Sequence, residues 1–255
     1  MPEGDTLART AAGLRPYLVG RRVTAARARA PGPQVDRLVG STINAVESRG
    51  KQLLIRFDNG LEVRTHLRMH GSWHRYRPGE PWRRAASRAR LVIEVPGSVA
   101  VCFDAPTVEL FEQRSEPLHP VLSALGPDLL ASDPDLDEIA RRLRDPRRAD
   151  RAIGEVLLDQ RALAGIGNEV RNEVLWEARR SPWAAVRDLD DAALLDLVDR
   201  ARVMLRAGAA TGRRPRRIYR RAGRPCPRCG TLVRLEHQGR DLPRLTFWCP
   251  ACQAR

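Results

Sequence analysis

The chain has 255 residues, 42% hydrophobic and 30% charged, as expected for a soluble globular protein with more than one domain. Its 45 Lys+Arg against 31 Asp+Glu give a net charge of +14, which points to a polyanionic partner, nucleic acid first. No run of about 18 apolar residues is present and the polar start Met1-Pro2-Glu3-Gly4-Asp5-Thr6 is no signal peptide, so a membrane span is excluded and a cytoplasmic protein is expected.

Leu7, Ala11, Leu14 and Leu18 recur at helical spacing and Gly20 ends the run, so residues 5–18 read as a helix. From about 22 to 111 short strands follow. Residues 52–57 and 61–66 flank Asp58-Asn59-Gly60, a hairpin signal, and residues 90–95 and 99–104 flank Pro96-Gly97-Ser98 in the same way. Residues 1–112 are thus expected to form a helix followed by an antiparallel β-sandwich. Residues 113–135, rich in Pro, Glu, Asp and Ser, read as a linker. A helical domain over 136–212 follows, with helices near 136–143, 150–158, 168–179 and 190–207. Residues 213–255 hold an arginine-dense segment and a small cysteine-rich module. The fold class is α+β multidomain.

Three patterns carry chemistry. Cys226-x-x-Cys229 and Cys249-x-x-Cys252 are two knuckles whose four thiolates can complete a tetrahedron around one structural zinc ion. An all-cysteine set leaves no open position for catalysis. The residues between the pairs can form a two-stranded ribbon with a basic, exposed tip around 238–244. Cys102, in an apolar strand, reads as an inert core residue.

The second pattern is the Gly-rich turn Ala164-Gly165-Ile166-Gly167-Asn168. Asn168 is a good N-cap for a helix from Glu169, and a helix start with open amides is an anion site. The bland alternative is an ordinary helix–helix turn. The third is the start of the chain. Removal of Met1, normal before a small residue, would leave Pro2 as a secondary amine with a pKa near ~8. Attack of such an amine on a sugar C1′ gives an iminium, an electron sink for elimination, and Glu3 beside it can move protons. The basic residues add one fact: Lys51 is the sole lysine, and the other 44 are arginine. Only the lysine ammonium can be tuned into a base or nucleophile.

Taken in order, these segments resemble the formamidopyrimidine-DNA glycosylase and endonuclease VIII family. Met1-Pro2-Glu3-Gly4 is similar to its catalytic start and Gly50-Lys51-Gln52-Leu53-Leu54 to its hairpin lysine segment. Leu125-Gly126-Pro127-Asp128-Leu129-Leu130 resembles the entry to its helical domain, Asp159–Asn168 its helix–two-turns–helix motif, and the cysteine pairs its zinc finger. The resemblance implies a bifunctional DNA glycosylase and AP lyase of base excision repair, cleaving the strand by β,δ-elimination. Pro2 would be the Schiff-base nucleophile and Glu3 the proton shuttle. Lys51 would assist near the lesion phosphate, and Asn168 and Arg244 would grip a phosphate together. Met69, in His66-Leu67-Arg68-Met69-His70-Gly71, would fill the gap left by the everted nucleotide; the alternative is a core methionine. One structural Zn2+ and damaged double-stranded DNA, with single-stranded DNA as a further substrate, are the implied cofactor and partners. The protein is expected to be a monomer at the nucleoid of a bacterial cytoplasm.

Three departures favour the endonuclease VIII side and oxidised pyrimidines. The second glutamate common after Pro-Glu-Gly is replaced by Asp5-Thr6. Asp104-Ala105-Pro106-Thr107-Val108-Glu109 stands where guanine-lesion enzymes carry an Arg-Arg-Phe loop, and the segment before Cys226 is short. Two other classes compete: a non-catalytic zinc-ribbon DNA-binding protein and a ribosome-associated zinc protein. Neither needs Pro2, Glu3 and Lys51.

Overall fold

The computed structural model describes residues 2–239 and 243–254. The chain divides into two compact units at residues 124 and 125.

The first unit opens with helix α1 (Gly4–Leu18), then strands β1 (Ala25–Ala28), β2 (Ile43–Arg49), β3 (Gln52–Phe57), β4 (Leu61–His66), β5 (Ser72–Tyr76), β6 (Ala89–Val95), β7 (Ser98–Phe103) and β8 (Thr107–Glu112). The strands form two antiparallel four-stranded sheets, β1–β6–β7–β5 and β2–β3–β4–β8. Alternation places Leu53, Ile55, Phe57 and Val63 of one sheet and Leu91, Ile93, Ala100 and Cys102 of the other in a shared core, with Leu7, Ala11, Leu14 and Leu18 of α1. Trp73 on β5 reaches across, its Nε1 donating to Thr65 Oγ1 on β4 at 3.0 Å. Cys102 is fully buried and its thiol is pushed up by that burial, the inert residue expected.

Residues 113–119 are not a loose tether. A 3-10 turn over Gln113–Leu118 lies on the polar face of the second sheet. There Glu116 accepts from Arg49 at 3.0 Å and Arg56 at 2.9 Å, and His119 Nε2 lies 3.0 Å from Glu109 Oε2.

The second unit holds α2 (Leu136–Leu143), α3 (Ile153–Val156), α4 (Asn168–Glu177), α5 (Asp191–Thr211) and a hairpin of β9 (Arg234–Gln238) and β10 (Arg244–Trp248). The helix expected over 150–158 shrinks to the single turn α3. Its first amides are taken from outside, Ile153 N donating to Ala184 O and Gly154 N to Pro182 O, and tighter turns follow at Leu158 and Asp159. Helix α5 runs further than expected, from an Asp190 cap on Ala193 N to a left-handed Gly212.

Helix α4 is buried from Asn168 to Trp176, polar residues included. Its carboxylates and most of its amide groups are spent on neighbours, with Asn168 Oδ1 buried and unmatched. Glu173 accepts from the backbone N–H groups of Arg217, Ile218 and Tyr219, which fastens the arginine-rich segment to the helix. The two segments on either side of α3 also meet: Ala164 N donates to Pro127 O, and Gly126 lies so close to the Ala162 carbonyl that a Cβ would come within 2.5 Å of it. No helix among the described residues is long and apolar enough to cross a membrane.

Candidate active site and metal centre

Pro2 is half-buried immediately before α1. Glu3 is fully buried and occupies the N-cap position, its carbonyl accepting from Thr6 N and Leu7 N. Asp5 is 4% exposed and its Oδ1 accepts from Thr6 N at 2.7 Å. Asp5 thus lies buried in the first turn of the helix.

Lys51 sits in the two-residue turn between β2 and β3, where Arg49 faces Gln52 and Gly50 supplies the left-handed φ of 57°. It is half-buried. Gln52 pairs with His66 across the β3–β4 ladder, so the turn lysine and this histidine are neighbours. Burial, and then the cations of Arg64, Lys51 and Arg68, push the His66 imidazole down to about 4. His66 is therefore neutral at neutral pH, able to donate from one ring nitrogen and accept at the other. Sequence reasoning quoted this residue only as part of the Met69 segment. Its place opposite Gln52 was the missed signal, since the register of the Asn59-Gly60 hairpin fixes that pairing. Behind it, Gln52 Oε1 accepts from Arg64 Nε at 3.1 Å, and Arg64 is paired with Glu109.

Met69 is 51% exposed at the tip of the turn after β4, which disposes of a core role. The β7–β8 connection is only Asp104–Pro106, with Ala105 fully buried, so it projects no side chain comparable to an Arg-Arg-Phe loop.

In the second unit, Asn168 is not the N-cap. Gly167 holds that position in extended backbone, and Asn168 is the first helical residue. Its amide is drawn away from the helix: Nδ2 donates to Leu245 O of β10 at 2.9 Å. The nitrogen carries two hydrogens, so one commitment leaves another to offer. Arg171 donates to the same carbonyl and to Thr246 Oγ1, and Asn172 Oδ1 accepts from Phe247 N at 2.6 Å. Three residues of α4 thus clamp β10, and Asn168 bonds to the residue that follows Arg244. Arg244 is exposed at the start of β10, in register with Gln238. Gln238, expected at an exposed tip, is instead buried, donating to Pro182 O and accepting from Arg171. The rest of that tip, residues 240–242, lies outside the described residues.

The four cysteines converge. The Sγ atoms of Cys226, Cys229, Cys249 and Cys252 lie within 4.8 Å of one another. Cys229 and Cys249 are 3.4 Å apart and Cys226 and Cys252 4.0 Å, too far for disulfides and close to the sulfur–sulfur edge of a tetrahedral metal–thiolate site. Trp176 Nε1 of α4 donates to Cys226 Sγ at 3.3 Å, and hydrogen bonds from Thr231 pull the Cys229 thiol down to about 6. The set can hold a metal ion, and four soft thiolates suit zinc.

Fold and site together define a helix–two-turns–helix protein with a four-cysteine finger. The formamidopyrimidine-DNA glycosylase N-terminal domain matches residues 1–107, and the H2TH domain of the same glycosylases matches residues 125–218. Probable endonuclease 8 2 of Streptomyces coelicolor is 40% identical over 100% of this chain and 94% of its own length. The DNA-(apurinic or apyrimidinic site) lyase Nei2 of Mycolicibacterium smegmatis is 38% identical over 99% of both. The formamidopyrimidine-DNA glycosylase of Lactococcus lactis, solved with DNA containing an AP site, superposes with a TM-score of 0.86 at 23% identity, over 99% of this chain and 100% of that one. The chain belongs to the formamidopyrimidine-DNA glycosylase and endonuclease 8 family.

Proposed function

We propose that this chain is a bifunctional DNA glycosylase and AP lyase of base excision repair, acting on oxidised pyrimidines. The observation that carries the reading is a fully buried carboxylate, Glu3, directly after a half-buried proline at a helix start. Burying an acid is costly unless it has work or partners there.

Once Met1 is removed, the Pro2 nitrogen attacks C1′ of the damaged nucleotide. The C1′–N bond breaks, its electron pair leaves with the base, and the base takes a proton. The proline nitrogen gives up its N–H proton, Glu3 protonates O4′ as the C1′–O4′ bond breaks, and an iminium is left between Pro2 and C1′. Loss of a C2′ proton expels the 3′ phosphate, a second elimination expels the 5′ phosphate, and water releases the enzyme. Lys51 steadies the adjacent phosphate while neutral His66 beside it offers a hydrogen bond without adding charge. Asn168 and Arg244 hold a further phosphate, and Met69 occupies the space the everted nucleotide leaves. Cys226, Cys229, Cys249 and Cys252 would hold a structural Zn2+, which would fix the ribbon that carries Arg244.

In this reading residues 1–112 carry the chemistry, 136–212 and 213–255 hold duplex DNA, and 113–135 join them. The reaction needs one copy of each residue, so the enzyme works as a monomer, at the nucleoid of a bacterial cytoplasm. A non-catalytic zinc-ribbon protein is the weaker alternative, because phosphate binding alone does not need Pro2, Glu3 and Lys51 together. A panel of duplex and single-stranded oligonucleotides carrying an oxidised pyrimidine, 8-oxoguanine or an abasic site tests the reading. Cleavage at the abasic site and at the oxidised pyrimidine is expected; an enzyme that excises 8-oxoguanine faster would overturn the pyrimidine assignment.

A further inference from the structure

The turn that carries Met69 is built to be held. Its base is closed by Gly71 N donating to Leu67 O at 2.9 Å, and Leu67 is 1% exposed. Gly71 packs onto that residue so closely that a Cβ would meet Leu67 O at 2.6 Å and Leu67 Cα at 2.8 Å, so glycine is required there. Between these anchors Arg68, Met69 and His70 are all exposed, and Arg68 has a φ of 45°, a left-handed conformation that a non-glycine residue does not hold unaided.

The aid comes from the β5–β6 connection. Arg84 Nη1 donates to the His70 carbonyl at 3.1 Å and to Asp104 Oδ2 at 2.5 Å. Asp104 in turn is gripped by Arg88, whose Nε meets Oδ1 at 2.9 Å and whose Nη2 meets Oδ2 at 2.8 Å, while Asp104 N donates to Arg88 O at 3.0 Å. Asp104 is itself left-handed, with a φ of 52°. The hydrogen bond from Arg88, with that from Arg84, holds its carboxyl below the usual carboxylate range. Two loops therefore meet on one carboxylate, and one guanidinium passes from it to the backbone of a third, the Met69 turn.

We propose that Arg84 is a positioning residue, latched by Asp104, that holds the Met69 turn in the shape in which it enters the DNA duplex. The proposal rests on the reading of Met69 as the residue that fills the gap. The physical reason is entropy. A turn that must order on insertion loses binding energy to that ordering, and a turn already fixed does not. The need is acute here because the three-residue β7–β8 connection, with Ala105 buried, supplies no second side chain from the neighbouring loop. That connection instead contributes Asp104, which supports the turn from behind.

The test compares single-turnover cleavage of duplex DNA bearing an oxidised pyrimidine with cleavage of a single-stranded abasic oligonucleotide, which has no stack to enter. A 2-aminopurine opposite the lesion reports insertion by fluorescence. Arg84→Ala is expected to slow duplex cleavage and the fluorescence change by about tenfold, to leave single-stranded abasic cleavage within about twofold, and to add nothing in a Met69→Ala background. Arg84→Lys, which keeps a cation on Asp104, should restore part of the rate. Thermal melting of each variant confirms that it is folded. If Met69→Ala slows the duplex reaction and Arg84→Ala does not, the latch is wrong. If Met69→Ala leaves the duplex reaction untouched, the gap-filling reading fails and the latch with it. Equal losses on both substrates would move Arg84 to chemistry or folding and overturn the proposal.

Discussion

Lys51 and His66 lie side by side on the β2–β3–β4 ladder, one cationic and one neutral. The chain uses arginine at every other basic position, and in the proposed mechanism the lysine in this turn offers a compact ammonium where arginine would offer a planar fork. Lys51→Arg is therefore expected to cost at least about tenfold in base excision, roughly 1.4 kcal/mol of transition-state stabilisation. The loss on a pre-formed abasic site should be smaller, because no base must leave. Equal, near-wild-type single-turnover rates on both substrates would reduce Lys51 to a phosphate contact. His66 makes a second, independent expectation. Unfolded, its imidazole takes up a proton near 6.5; folded, only near 4. Between these values only the unfolded state is protonated, so stability contributed through this group falls as pH drops from about 6.5 towards about 4 and is constant above. Denaturant midpoints of wild type and His66→Gln should converge above pH 7 and separate below pH 6, with the wild type falling further. Parallel curves would show that the imidazole titrates normally.

At the scale of elements, what was local in sequence was legible, and what depended on distant partners was not. The hairpin strands at residues 52–57 and 61–66 followed from Asn59-Gly60 and alternation, and the cysteine convergence followed from spacing. Asn168 looked like an N-cap because Asn usually is one; a carbonyl 77 residues away, Leu245 O, claims its side chain instead. Gln238 looked exposed because it lies near a basic tip, yet Arg171 and Pro182 bury it. Helix α4 reads as half polar and is buried all round, because its polar groups clamp β10 and the arginine-rich segment. In the proposed reading that clamp makes the finger part of the DNA-binding apparatus. Chelating the metal, or Cys249→Ser, is expected to weaken binding to abasic duplex DNA while leaving the cooperative unfolding of the β-sandwich in place. Calorimetry with and without chelator checks this. A single transition lost as a whole would contradict the separation.

The whole molecule combines a strongly basic surface with a very small set of reactive groups. Its net charge of +14 explains attraction to DNA but no chemistry, which the proposed mechanism assigns to Pro2 and Glu3 at the head of α1. An uncleaved tag on Pro2 should accordingly leave DNA binding nearly intact while abolishing strand cleavage. The most direct measurement is borohydride reduction during reaction with abasic duplex DNA, followed by peptide mapping by mass spectrometry. The predicted result is a covalent DNA adduct on the amine of Pro2 in the processed protein and none in the tagged one; an adduct on Lys51, or strand cleavage with no trapped adduct, would contradict the account.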